Sequence, residues 1–122
     1  MTNIKFDLKE RTFEFSQSLI SFCSTVPKNP INNPLRSQLV RAGTSIGANY
    51  AEANEASSKK DFIYKLSIAH KEISETRYWL QLMVDIIPEE KKALLQNLAK
   101  EIQELNLIFA TIIKKSKENP GS

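Results

Sequence analysis

Few residues in this chain combine a reactive type with a spacing that could do chemistry. Glu72 and Glu75 stand three apart, the spacing at which a helical half-site of a di-iron bundle pairs a Glu with a His. Those sites take a Glu-x-x-His from each of two helices, and here His70 is the only histidine. His70-Lys71-Glu72 has the His-x-Glu spacing of zinc deaminases, yet no Cys-x-x-Cys follows. Cys23 is the one cysteine and falls on the apolar edge of a helical stripe, where a thiol is packing material, not a nucleophile. Gly43 and Gly47 could suggest a phosphate loop, but no Lys-Ser or Lys-Thr follows and both stand inside a helical pattern. The expectation is a protein that is not an enzyme, with no catalytic residue, no metal site and no cofactor.

Two groups of polar residues carry more pattern. Ser45, Asn49 and Glu52 share a helical ridge with Arg41 one turn earlier. An antiparallel neighbour could bring Glu72 and Glu75 level with Asn49 and Glu52, with Lys65 in reach. Buried polar groups must pair, because each unpaired one costs roughly 1–3 kcal/mol. Arg41, Ser45, Asn49, Glu52, Lys65, Glu72 and Glu75 are therefore expected to form a buried structural network, with a ligand or nucleic-acid site as the alternative. The second group is basic: Arg36, Lys59, Lys60, Lys71, Lys114, Lys115 and Lys117, all off the apolar seams and free to meet phosphate. The last three also suit a helix C-terminus, whose dipole favours cations.

The elements that must position these residues are helices. The chain has 122 residues, 41% of them hydrophobic and 25% charged, the size and balance of one globular domain. Three glycines are too few for a hairpin-rich fold. A lone cysteine, an N-terminus without a signal-peptide pattern and no membrane-spanning apolar run point to a cytoplasmic protein. The net charge of +3 permits nucleic-acid contact without demanding it. Apolar residues recur at three and four, and breaks fall at Pro27–Pro34, Ser57-Ser58 and Pro88.

The fold expected over residues 1–122 is all-α: an up-down-up-down antiparallel four-helix bundle. Its helices should cover about 7–26, 34–56, 59–87 and 89–117, with a frayed tail at 119–122. Asp7, Asn33 and Ser58 are the expected N-caps, with Pro34 opening the second helix. The first stripe is Leu8, Thr12, Phe15, Leu19, Phe22 and Val26, widened by Phe13, Ile20 and Cys23. Later seams run through Leu35, Leu39, Ala42, Ile46 and Ala53, then Phe62 to Ile87, then Leu95 to Ile112. The third helix has a second apolar row that includes Ile68, Trp79, Leu82 and Ile86. That row is expected to form an oligomer interface, since aromatic residues are enriched at such surfaces, with a wide core stripe as the alternative. Gly43 and Gly47, on one helical face, are expected to admit a closely packed neighbouring helix and to join that interface.

Three segments also carry a resemblance. They are Arg41-Ala-Gly-Thr-Ser-Ile-Gly-Ala-Asn-Tyr-Ala-Glu-Ala53, Ser58-Lys-Lys-Asp-Phe-Ile-Tyr-Lys-Leu-Ser-Ile-Ala69 and Lys71-Glu-Ile-Ser-Glu-Thr-Arg-Tyr-Trp-Leu80. Together, and in this order, they resemble the bacterial four-helix-bundle family encoded by intervening sequences in 23S ribosomal RNA genes. The resemblance implies a homopentameric barrel. It also implies kinship of fold with the accessory variability protein of diversity-generating retroelements, which binds nucleic acid and a reverse transcriptase. RNA or DNA, and a reverse transcriptase or another protein, are therefore the partners the resemblance suggests; a purely structural or protein-interaction oligomer is the alternative.

Overall fold

The computed structural model describes residues 7–118. It contains α1 (Leu8–Cys23), α2 (Asn32–Asn54), α3 (Lys59–Met83) and α4 (Lys92–Glu118), the last preceded by one 3-10 turn at Glu89–Lys91. Among the described residues there is no strand. The tail expected to fray at 119–122 lies outside them.

Two of the predicted caps form. The Asp7 carboxylate accepts from the Glu10 amide at 3.3 Å, and the Ser58 hydroxyl oxygen accepts from the Asp61 amide at 3.1 Å. The third does not. α2 begins at Asn32, ahead of Pro34, and the turn into it is held by Asn29, whose Oδ1 accepts from the amides of Ile31 (3.0 Å) and Asn32 (2.7 Å). Pro34 is tolerated inside the first turn because amides there have no intrahelical acceptor to lose. α1 ends at Cys23, short of the predicted 26. The Ser24 and Thr25 hydroxyls donate to the Ser21 and Phe22 carbonyls, both at 2.7 Å, and the chain turns away. α3 ends at Met83, not Ile87, and a turn carries the chain into Pro88, which disfavours helical geometry in the residue before it.

Side-chain pairs fix the helix directions. Glu52 of α2 meets Lys65 of α3, while Arg41 meets Glu72 and Glu75, so one number falls as the other rises. Gly47 faces Thr12 and Gly43 faces Leu19, so α1 also runs against α2. α4 packs on both α3 and α1 and closes the up-down-up-down bundle. The predicted seams meet in one core that includes Leu19, Phe22, Leu39, Ile46, Leu66, Ile73, Leu80, Ile102 and Phe109. Tyr50 covers its end, edge-on to Phe109 with ring centroids 5.8 Å apart. Phe13 and Ile20 do not widen the α1 stripe as expected; they are 61% and 51% exposed. They sit on the flank of α1 that neither neighbouring helix covers.

The two helical glycines admit α1, the close helix approach that their spacing predicts. A Cβ at Gly43 would lie 1.9 Å from Leu19 Cδ2; at Gly47 it would lie 3.2 Å from Thr12 Oγ1 and 3.3 Å from Thr12 Cβ. Each glycine costs a helix interior about 1 kcal/mol against alanine, and the close helix approach offsets this. Thr12 has little freedom to yield, since its hydroxyl is tied to the Leu8 carbonyl at 2.7 Å. Gly47→Leu should therefore lower the melting temperature although leucine is the better helix former, because overpacking costs about 1–3 kcal/mol. Thermal denaturation checks this, and a variant melting at or above wild type would contradict it.

Candidate functional site

The polar ridge assembles, but on the surface. Arg41 donates to Glu72 Oε1 at 3.3 Å and to Glu75 Oε2, and Lys65 Nζ meets Glu52 Oε1 at 2.6 Å. Glu75 also accepts from Trp79 Nε1 at 3.1 Å. These partners draw the Glu75 carboxyl below the usual range, Arg41 most strongly, and Glu52 raises Lys65 above its ordinary value. Ser45 and Asn49 turn inward on their own helix, donating to the carbonyls of Arg41 (2.6 Å) and Ser45 (2.9 Å). The expectation of a buried network is corrected: the Arg41 side chain is 47% exposed. The ridge runs beside the Leu39–Ala42–Ile46 seam, and the contact between α2 and α3 covers the seam only. Glu72 and Glu75 are committed to Arg41 and act as clasps between helices.

A more buried ion pair escaped the sequence reading. Arg11, only 14% exposed, spans to α4 and donates to Glu101 at 2.7 and 3.0 Å and to Glu104. Glu101 is the main cause of a guanidinium held further above its usual value. Glu101 and Glu104 stand three apart on one face of α4, the only signal the sequence offered. His70, expected to be satisfied, has a shielded Nε2 without a partner among the described residues.

The second apolar row predicted for the third helix divides, and its last member, Ile86, lies past the end of α3. Ile68, Trp79 and Ile86 are half-buried, and the last two pack against the chain's own core. Leu82 remains 40% exposed beside Tyr78, which lies edge-on to Trp79 with centroids 5.2 Å apart. The predicted basic residues also divide. The antiparallel register places Lys59 and Lys60, at the start of α3, at the same end of the bundle as Lys114, Lys115 and Lys117, near the end of α4. Asp61 and Glu118 stand among them, so that end is mixed in sign. Lys71 lies midway along α3, and Arg36 lies in the opening turns of α2, at the far end.

Cys23 is buried, and burial pushes its thiol up to about 11, with the Arg36 cation pulling the other way. At pH 8 the thiolate is scarce and covered. Iodoacetamide should leave native Cys23 unmodified over a period that fully alkylates the unfolded chain, read by mass spectrometry. Equal rates in the two states would contradict a buried thiol.

Among the described residues no helix is long and apolar enough to cross a membrane. The model of the 23S rRNA-intervening sequence protein family matches residues 5–107. A crystal structure at 1.70 Å, of a protein of unknown function from the S23 ribosomal protein family of Bacteroides thetaiotaomicron, superposes with a TM-score of 0.73 and 35% identity. The match covers 87% of this chain and 97% of that one. No curated protein matches significantly. A four-helix bundle with Gly43 and Gly47 packed under α1 and Arg41 clasped by Glu72 and Glu75, matched over these lengths, belongs to the 23S rRNA-intervening sequence protein family.

Proposed function

We propose that the chain is a non-enzymatic accessory protein that assembles into a closed homo-oligomer, a pentamer first, and binds RNA or DNA through surface cations. The carrying observation is how its basic residues are used. Arg11, Arg41, Lys65 and Lys92 hold carboxylates. Arg36, Lys59, Lys60, Lys71, Lys114, Lys115 and Lys117 have no carboxylate partner among the described residues. Cations left unpaired can release counterions from a phosphate backbone without first giving up an ion pair. Assembly would multiply the +3 of one chain in a single particle and strengthen its field. A cytoplasmic location, where a free thiol persists, belongs to this reading.

Assembly is supported by unlike apolar surfaces on diagonally placed helices: Phe13 on α1, and Tyr78 and Leu82 on α3. Two different patches favour a head-to-tail ring over a two-fold dimer, which would pair one patch with itself. The same exposed aromatics favour a second reading, an interaction scaffold for a reverse transcriptase or other protein with no nucleic-acid role.

Light scattering should return a multiple of 13.9 kDa at micromolar concentration. Phe13→Glu and Leu82→Glu should each shrink the particle without lowering helicity, because both side chains already meet solvent in the single chain. A wild-type monomer would contradict assembly. Fluorescence anisotropy with duplex DNA and with structured RNA at about 50 and 200 mM salt tests binding. Affinity should fall steeply, with a logarithmic slope near −0.9 per neutralised phosphate for duplex DNA. No binding at the lower salt, with the oligomer intact, would transfer support to the scaffold reading.

A further inference from the structure

One groove on this bundle differs from its neighbours in charge. It lies between the end of α1, the 27–30 loop and the first turns of α2, and encloses about 490 Å³. Lys28, Arg36 and Arg41 line it, and no carboxylate does. The groove beside Gly47 sets Asp7 and Glu10 against Lys9, and the one between α1 and α4 sets Glu14 and Glu101 against Arg11. Each of those two sets two carboxylates against one cation and is acidic on balance. Here Arg41 is committed to Glu72 and Glu75, which leaves Lys28 and Arg36 uncompensated.

Arg36 carries a further mark. One terminal nitrogen donates to Asn33 Oδ1 at 3.3 Å, a neutral acceptor, while its Nε is shielded from solvent and has no acceptor among the described residues. One neutral amide oxygen leaves terminal guanidinium donors unused, and an arriving anion would take them up in charge-assisted hydrogen bonds. We infer that this groove binds a phosphate ester, with Arg36 as the recognition fork and Lys28 as a mobile point charge closing over it. The planar guanidinium matches two phosphate oxygens, which an ammonium does not. Ser37 adds a hydroxyl donor on the same wall. The groove is larger than one phosphate needs, and Ile20 and Val40 give it an apolar side suited to the sugar or base of a nucleotide. The half-exposed Ile20 thereby acquires a ligand-facing position.

As the address for a nucleic acid this site rests on the function proposed above, but its chemistry is testable without it. The source of the phosphate is either a free nucleotide or a nucleic-acid backbone. The full chain, labelled with 15N, is titrated by NMR with inorganic phosphate and with 5′-AMP in about 50 mM salt. Saturable shifts of the Arg36 side-chain Nε–H and the Ser37 amide are expected, with 5′-AMP the tighter ligand. Arg36→Gln should weaken 5′-AMP binding about tenfold or more, and Arg36→Lys should recover only part of that. Lys28→Gln, on an exposed loop, repeats the test if the Arg36 variants fail to fold. Unchanged affinity in the variants, or shifts confined to Lys114–Lys117, would overturn the inference.

Anisotropy with structured RNA forms the second arm. A combined Lys28→Gln and Arg36→Gln variant should lose more affinity than a combined Lys114→Gln and Lys115→Gln variant. RNA held equally well by wild type and the Lys28/Arg36 variant would overturn the site while leaving nucleic-acid binding in place. Saturable 5′-AMP binding without any RNA binding would support the site, name a free nucleotide as its ligand, and remove the nucleic-acid reading.

Discussion

The close approach of α1 to α2 governs the shape of this bundle. Leu19 and Thr12 of α1 lie over Gly43 and Gly47, where any larger residue would meet them at or below contact distance. Drawn in this far, α1 buries Phe15, Leu19 and Phe22, leaving three percent or less of each exposed. It also brings Arg11 within reach of Glu101 and Glu104, so the side of the bundle opposite α3 is fastened by charge as well as by packing. The cost is local and chemical: two glycines in a 23-residue helix, stabilised there only by the neighbour they admit.

Charge on the molecule then falls into two populations. One is internal bracing. Arg11 ties α1 to α4, Arg41 and Lys65 tie α2 to α3, and each is held by carboxylates on the facing helix. These pairs are partly solvated and screened, so they set register more than they add stability. The other population has no carboxylate partner among the described residues, and of these Arg36, Lys59, Lys60, Lys71, Lys114, Lys115 and Lys117 sit at the two ends of the bundle or along α3. A protein that used all its cations as braces would have little to offer a polyanion. This one keeps about three-quarters of the basic side chains among its described residues out of ion pairs.

The seams were legible because burial follows the helical period. Leu39, Ala42 and Ile46, like Leu66, Ala69 and Ile73, are fully covered as their three-and-four spacing implies. Asp7 and Ser58 were legible because a cap acts within one turn. The start of α2 was not, because Asn29 holds it from outside the helix and competes with the more conspicuous Asn33-Pro34 signal. The glycine pair announced a close neighbour but not which one, since spacing names a face and not its occupant. The polar ridge was legible as a set of partners and misread as buried, because exposure depends on how far the α2–α3 contact spreads beyond its seam. Arg11 went unread since its acceptors lie on α4, far along the chain. The groove at Lys28 and Arg36 is defined by the absence of carboxylates around it, a property of the assembled surface that no run of residues displays.

The most direct test of the central claim, that an assembled particle carries nucleic acid on its unpaired cations, is native mass spectrometry of the full chain mixed with a short structured RNA at low ionic strength. The expected spectrum shows one closed multimer of the 13.9 kDa chain, a pentamer first, and the same multimer carrying a whole number of RNA molecules. A spectrum of bare monomer beside free RNA would contradict it.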